Sequence, residues 1–276
     1  MSQLDVSVAG DQDAEALAAF ASQRPLSWTD FASIAMLQPD EPRVWLARTS
    51  PTGAVVAAAI DDGLAMSVAG ETEGLLAISR VVEDVPGKLV IAGRTGEVRD
   101  FVSELEAPRR ERPEHFMAVR RGELRCPIEA IPLRIASEED LPMLLRVRAA
   151  ALEEEYGIPV DEGTTLHREL SAAVTRAVAL QGVAIWIEDD RCAFTAQLIA
   201  KTPEAAMFGD LFVDRDLRGA GRATRALTAF CTWLMTESEH VALRVGTTNE
   251  PAVQLYERVG FSVVDQFCSS LGTDAP

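Results

Sequence analysis

The sequence predicts an α/β chain of the α+β type, built from two domains that are each a mixed, mainly antiparallel sheet flanked by helices. Three observations carry this prediction. The chain has 276 residues, more than the ~100 to 150 of a usual single domain and enough for two sizeable cores. Hydrophobic residues make up 47% and charged residues 25%, the balance of a folded globular protein rather than of a disordered, collagen-like or disulfide-stapled one. The element order β-α-α-β-β-β-α-β-α-β reads twice along the chain, on either side of a Pro- and Arg-rich stretch from Glu106 to Pro132 that has linker chemistry.

In the first half, a strand over Leu4 to Val8 precedes helices over Gln12 to Ser22 and Trp28 to Leu37. A hairpin follows, with arms Val44 to Arg48 and Ala54 to Ile60 around a Ser50-Pro51-Thr52-Gly53 turn. Strand Leu64 to Val68, helix Thr72 to Val81, strand Lys88 to Ala92 and helix Gly96 to Leu105 complete that half. A short strand, Phe116 to Arg120, interrupts the linker, and the boundary is placed to give domains 1–127 and 128–276.

The second half opens with strand Leu133 to Ala136. Ser137 followed by Asp140 fits the entry to a helix through Leu141, Leu144, Leu145 and Val147. A second helix spans Leu166 to Ala179, then a hairpin joins Val183 to Glu188 with Cys192 to Ala200, and Ala206 to Val213 is a third strand. Ala223, Leu227, Phe230, Cys231 and Leu234 form one apolar helical stripe. Strand Val241 to Val245, helix Glu250 to Val259 stopped by Gly260, and strand Phe261 to Phe267 end the chain.

Charge narrows the function. Lys and Arg number 26 against 43 Asp and Glu, a net charge of -17, which repels phosphate backbones and anionic headgroups, so neither nucleic acid nor membrane is an expected partner. Both halves are acidic, at -7 and -10. The longest apolar run, Ala54 to Ile60, has seven residues, against ~20 for a bilayer span. Met1 to Gly10 lack the basic start of a secretory signal, and a cytoplasmic location is expected. Cys126, Cys192, Cys231 and Cys268 are scattered without a Cys-x-x-Cys pair, as are His115, His167 and His240; buried free thiols and no metal site are the expectation.

The most informative segment is Asp214 to Ala226. A β run ends at Val213, glycines stand at 219 and 221, and a helix follows, an arrangement that aims backbone N–H groups and a helix dipole at a bound phosphate. Arg215, Arg218, Arg222 and Arg225 concentrate positive charge there; an anionic ligand or a solvated arginine face explains them. A dinucleotide fingerprint fails because Thr224 stands at the third glycine position, and a P-loop fails because neither Lys88 nor Lys201 follows the loop.

Arg218-Gly219-Ala220-Gly221-Arg222-Ala223 resembles the Q/R-x-x-G-x-G/A pyrophosphate loop of the GNAT superfamily of acyl-CoA N-acyltransferases. The stretch from Asn249 through Ala252 and Tyr256 to Gly260-Phe261 is similar to the second signature of that family, N-x-x-A-x-x-x-Y-x-x-x-G-F. The resemblance covers Leu133 to Phe267 in detail, and the first half looks like the same fold without its motifs, as in tandem bacterial proteins with a degenerate first domain.

What the resemblance implies is specific. Amides from Gly219 through Ala220, Gly221 and Arg222 to Ala223 would bind the CoA pyrophosphate beside Arg218. The strand Leu211, Phe212, Val213 would present its backbone to the pantetheine arm, Asn249 and Ala252 would lie against the cofactor, and Tyr256 would protonate the leaving thiolate. Asn249, Ala252 and Tyr256 share one helical face. A neutral amine must attack the thioester, so a carboxylate or water must take its proton; Asp210 and Glu154 are the named candidates, with Glu153, Glu155 and Glu188 near them in the sequence.

Two departures stand out. The chain ends about fifteen residues after Gly260, so the last strand often added by the family is short or missing. In the first half the corresponding turn reads Ala69-Gly70-Glu71-Thr72-Glu73, acids in place of arginines. The expected activity is transfer of an acetyl or short acyl group from acetyl-CoA to a primary amine, on a small molecule or on a peptide or protein amino group, with a homodimer as one open assembly. The alternative is a catalytically silent tandem protein that binds acyl-CoA or a partner.

Overall fold

The computed structural model describes residues 4–37, 43–61, 65–82, 90–106 and 108–272. The first half contains β1 (Asp5–Val8), α1 (Ala14–Ala21), α2 (Thr29–Leu37), β2 (Arg43–Arg48), β3 (Val55–Asp61), β4 (Ala65–Gly70), α3 (Thr72–Val81), β5 (Val90–Arg94), α4 (Thr95–Val102) and β6 (Arg109–Arg120). The second contains β7 (Arg134–Ile135), α5 (Leu141–Tyr156), α6 (Thr165–Ala179), β8 (Val183–Glu188), β9 (Arg191–Lys201), β10 (Ala205–Phe212), α7 (Arg222–Leu234), β11 (His240–Gly246), α8 (Glu250–Val259) and β12 (Ser262–Gly272). The repeated element order is therefore present in both halves. Leu64, Lys88 and Leu89, expected in strands, lie outside the described residues.

By contacts the chain forms two compact units: one of 1–116, 244–248 and 263–276, the other of 117–243 and 249–262. The expected division after residue 127 gives each domain one continuous segment, whereas these units interleave. In the first unit the strand order is β1-β2-β3-β4-β5-β12-β6. β1 with β2, β2 with β3, β3 with β4 and β5 with β12 are antiparallel, and β4 with β5 is parallel. In the second unit β11-β10-β9-β8-β7 are neighbours, with β10 and β11 parallel and the rest of those pairs antiparallel.

The alternation of β3 explains the first unit. Ala57 and Ala59 face α3 and α4, packing with Met66, Val68, Leu75, Ile78, Val98 and Phe101. Ala58 and Ile60 face α1 and α2, packing with Leu17, Phe20, Trp28 and Phe31. A strand buried on both faces reads as a continuous apolar run. The alanines let α3 approach closely: a Cβ on Gly74 would stand 2.6 Å from the Ala57 Cβ. In the second unit the α7 stripe buries Leu227, Phe230, Cys231 and Leu234, while Ala223 is half-buried. Phe230 meets Phe194 and Phe208 edge-on, with centroids 6.5 and 5.7 Å away. Cys192, Cys231 and Cys268 are buried free thiols and Cys126 is half-buried.

Two local readings change. The Pro- and Arg-rich segment expected to be linker broken by a short strand over Phe116 to Arg120 holds a longer strand, Arg109 to Arg120, while 121–132 carries no helix or strand. Its charged residues are satisfied laterally, Arg109 donating to the Ser270 carbonyl at 2.8 Å and Glu111 accepting from Arg99 at 2.7 Å, so polar composition there marks strand exposure and not a flexible connection. The last strand, expected to stop at Phe267, runs to Gly272 because Phe267 to Leu271 pair with β5. Among the described residues no helix is long and apolar enough to cross a membrane.

The helix entry expected at Ser137 and Asp140 is built by the acid. Asp140 accepts the Ser137 amide at 2.8 Å and holds Arg134 through two bonds of 2.7 Å. Arg134, ahead of the opposing cost of burial, pulls the Asp140 carboxyl from its ordinary 3.8 down to about 2. A carboxyl depressed in the folded state contributes stability that is complete above about pH 4 and lost as the pH falls toward about 2. Asp140→Ala is expected to cost about 1–2 kcal/mol at neutral pH, chiefly from the lost helix-entry bonds because Arg134 is half-exposed and screened. Urea unfolding at neutral and acidic pH checks this, with the difference from wild type shrinking toward pH 2.

Candidate active site

The site is assembled where β10 ends. Gly209 pairs with Gln197, yet Phe212 pairs with Thr195, so β10 carries one extra residue, a β-bulge, between them. Asp210 sits in that bulge with φ of +57°, a left-handed conformation uncommon for a residue with a side chain. Its carboxylate is ion-paired with Arg148 of α5. The parallel register of β10 with β11 is recorded from Ala205 to Met207, and β10 runs on to Phe212, so the bulge and the Leu211 and Phe212 backbone lie beyond it.

Gly219 and Gly221 have φ of +82° and +73°, which side-chain-bearing residues adopt only at a cost. A Cβ at either would meet no protein atom within 4 Å. Gly221 is the N-cap of α7 and supplies no side-chain cap. Among the described residues, none of the backbone N–H groups from Gly219 through Ala220 and Arg222 to Ala223 donates to a backbone carbonyl. The loop is thus a run of donors without backbone acceptors at the positive end of a helix, which is what a phosphate needs.

The four arginines are engaged by the chain's own acids. Arg218 places its two terminal nitrogens on Glu154 at 2.6 and 3.1 Å, donates Nε to the Val213 carbonyl at 2.9 Å, and lies 5.5 Å from the Phe212 ring centre. Arg215 reaches Glu154 at 3.3 Å. Arg222 forks onto Glu188 at 2.8 and 2.6 Å, and Arg225 lies 3.7 Å from Glu129 and over Trp186. Arg218 first, then Arg215, holds Glu154 below the usual carboxylate range; Arg222 does the same to Glu188. Glu154 and Glu188, lowered in this way, are poor proton acceptors.

Asn249 caps α8, its Oδ1 accepting the Ala252 amide at 3.3 Å, and Tyr256 follows one face further on. Tyr256 is 6% exposed and packs against Phe208 and Phe261 with ring centres 6.3 and 5.8 Å away. Burial, then the charge of Glu155, raises its phenol well above the usual value, so the hydroxyl keeps its proton at neutral pH. Among the described residues no group hydrogen-bonds that hydroxyl. Gly260 closes the helix at φ +124°, where a Cβ would stand 2.6 Å from the Glu123 carbonyl; the turn into Phe261 accepts only glycine.

The structure thus brings Leu211, Phe212, Val213 and the 218–223 loop together at the β10–α7 junction, and puts Asp210 beside them and Glu154 under them. Val213 offers less backbone than expected, since Arg218 takes its carbonyl. Arg148 is the partner that sequence reasoning missed: it stands 62 positions from Asp210, and its place beside Arg146 in a mainly apolar stretch of α5 does not single it out. Among the described residues no group of three His, Cys, Asp or Glu could hold a metal ion.

Residues 152–261 match the model of the acetyltransferase (GNAT) family, a span that includes the bulge, the loop and Tyr256. No curated protein matches the sequence. Solved structures of similar fold include a GNAT-family acetyltransferase from Colwellia psychrerythraea, 13% identical over 97% of this chain and 98% of that one, with a TM-score of 0.57. An N-acetyltransferase from Sphaerobacter thermophilus is 16% identical over 97% and 94%, also at 0.57. A tandem GNAT protein from the clavulanic acid biosynthesis pathway is 14% identical over 98% and 99%, again at 0.57. Those identities speak for fold alone, while the family match rests on the second half: residues 152–261 are similar to the GNAT acetyltransferase family, and along nearly its whole length the chain has the fold of a tandem GNAT protein.

Proposed function

We propose that the second half of the chain transfers an acetyl or similar short acyl group from acetyl-CoA to a primary amine, and that the first half holds no cofactor. The observation that carries the reading is the α7 N-terminus: two left-handed glycines whose Cβ positions are open, and amides without a backbone acceptor. When bound, the cofactor supplies an activated thioester. Amides of the 219–223 loop hold its phosphates, and the backbone of Leu211 and Phe212 beyond the β10 bulge lines its arm. Asn249 and Ala252 flank it from the first turn of α8. Tyr256, neutral in its apolar pocket and free of protein hydrogen bonds, holds a proton at its phenolic oxygen for the departing sulfur. Asp210, on β10 itself and kept oriented by Arg148, receives the proton that an ammonium substrate sheds. The acidic chain, at -17, favours a cationic acceptor, either a small amine or a peptide or protein amino group.

A second reading has one observation behind it. Asp210, Glu154 and Glu188 are all ion-paired, as they would be in a silent protein that binds acyl-CoA. Release of free thiol from acetyl-CoA in the presence of amines separates the two, and only turnover supports the enzyme.

In the first half the equivalent turn is closed by its own atoms. Gly70, at φ +125°, brings its backbone so near Val56 and Ala57 that a Cβ would stand 2.4 Å from the Val56 carbonyl. The Glu71 amide donates to that carbonyl at 2.9 Å, and Glu71 and Glu73 satisfy the α3 dipole themselves. Calorimetric titration with CoA is expected to give one site per chain, weakened at least tenfold in Gly221→Ala because the methyl group enters the phosphate space and strains the backbone. Two sites, or unchanged affinity in that variant, would contradict the assignment.

Tyr256→Phe removes a hydroxyl that the protein does not bond, so thermal stability should hold while kcat drops roughly ten- to a thousandfold with little change in apparent acetyl-CoA binding. Wild-type kcat in the Phe variant sinks the role of Tyr256. Asp210→Asn should lower kcat/KM at neutral pH, and an unchanged kcat/KM points to solvent as the base.

A further inference from the structure

Glu154 was expected as a proton acceptor, and its surroundings give it a different task, one that rests on the cofactor-binding reading above. The Arg218 guanidinium is used on every side: Nε to the Val213 carbonyl at 2.9 Å, both terminal nitrogens to Glu154 at 2.6 and 3.1 Å, and one face 5.5 Å from the Phe212 ring centre. This is the two-point fork for which arginine is suited and lysine is not. The same carboxylate reaches Arg215 at 3.3 Å, on the other flank of the short turn that leads from β10 into the loop. One acid, at the C-terminal end of α5, therefore ties down both arginines that bracket that turn.

We propose that Glu154 is a positioning residue of the cofactor loop: through its fork with Arg218 it fixes the chain between Val213 and Gly219, so that the 219–223 amides converge on the diphosphate while the Arg218 side chain serves as a strut and not as a phosphate ligand. The argument is geometric. Gly219 and Gly221 have no side chain, and a Cβ at either would touch nothing, so their amides are held in register from the two flanks. On the helix side Arg222 forks onto Glu188, and on the strand side the attachment is Arg218, immediately before Gly219. Three hydrogen bonds and a ring contact on one guanidinium over-determine its position. Ordering the loop in the free protein removes that cost from binding, so the benefit appears as affinity for CoA and not as catalytic rate.

The test is a double-mutant cycle on the full chain, with Glu154→Gln, Arg218→Ala and both together, read by CoA calorimetry, by thermal unfolding and by steady-state kinetics. Either single variant should weaken CoA binding about three- to tenfold, and the double variant should be no weaker than the worse single one. The kcat at saturating acetyl-CoA and its pH profile should match wild type in Glu154→Gln. Arg218→Lys should behave like Arg218→Ala, because an ammonium cannot fork. Loss of kcat together with the acidic limb in Glu154→Gln would overturn the proposal in favour of a base. Additive losses, or tighter binding in Glu154→Gln, would overturn it in favour of a direct phosphate contact by Arg218 or of Glu154 as a competing anion. If wild type binds no CoA, the functional reading falls; the clamp is then judged by the cycle in thermal unfolding, where additivity would refute it.

Discussion

The site depends on a helix that does not cap itself. Two helices of the second half are capped by their own side chains: α6 by Thr164, which accepts the His167 amide at 3.1 Å, and α8 by Asn249, which accepts the Ala252 amide at 3.3 Å. At α7 the cap is Gly221, without a side chain, preceded by another left-handed glycine. Each unpaired amide there is a donor the fold leaves for something else. The stability cost is modest while water reaches the loop, and the gain is a pre-shaped anion site.

Charge around that helix follows a matching logic. A net -17 chain would repel a polyphosphate if the arginines were remote, yet four of them surround the loop. Pairing with Glu154, Glu188 and Glu129 keeps them ordered. With the guanidinium charges partly neutralised, selectivity falls to the amides, whose spacing is fixed by backbone geometry, rather than to flexible side chains that would accept any anion. The same pairing explains why composition alone misleads: four arginines in a short segment suggest a binding surface, although each already has an acidic partner.

Much of the fold was legible because the signals are local. The α7 stripe, the helix stop at Gly260, and the loop glycines each arise from a few adjacent residues, and the element order follows from them. The linker was misjudged for a physical reason: Pro113 and the arginines around it look like a connection, but a strand with charged outer positions and lateral ion pairs has the same composition. Candidate carboxylates were legible as acids and illegible as bases, since what decides their task is Arg148, Arg215, Arg218 or Arg222 arriving from other elements. Tyr256 was legible in its motif; the Phe208 and Phe261 rings that raise its pKa come from distant strands and turns.

The extent of β12 bears on how the two sequence halves can be separated. Phe267 to Leu271 lie antiparallel to β5 from Arg94 to Val90, and Asp265 accepts from Arg94 at 2.7 Å and from Ser27 at 3.1 Å. The first unit therefore uses the end of the chain as one of its strands. A fragment of residues 1–127 would leave β5 an unpaired edge and take from the half-buried Arg94 its 2.7 Å partner Asp265, leaving Glu97 at 3.7 Å, two features that favour aggregation and cost stability. The repeated element order follows the sequence halves, but the first unit draws on the end of the chain, and any assignment of a separate activity to the first half has to be made on the intact protein.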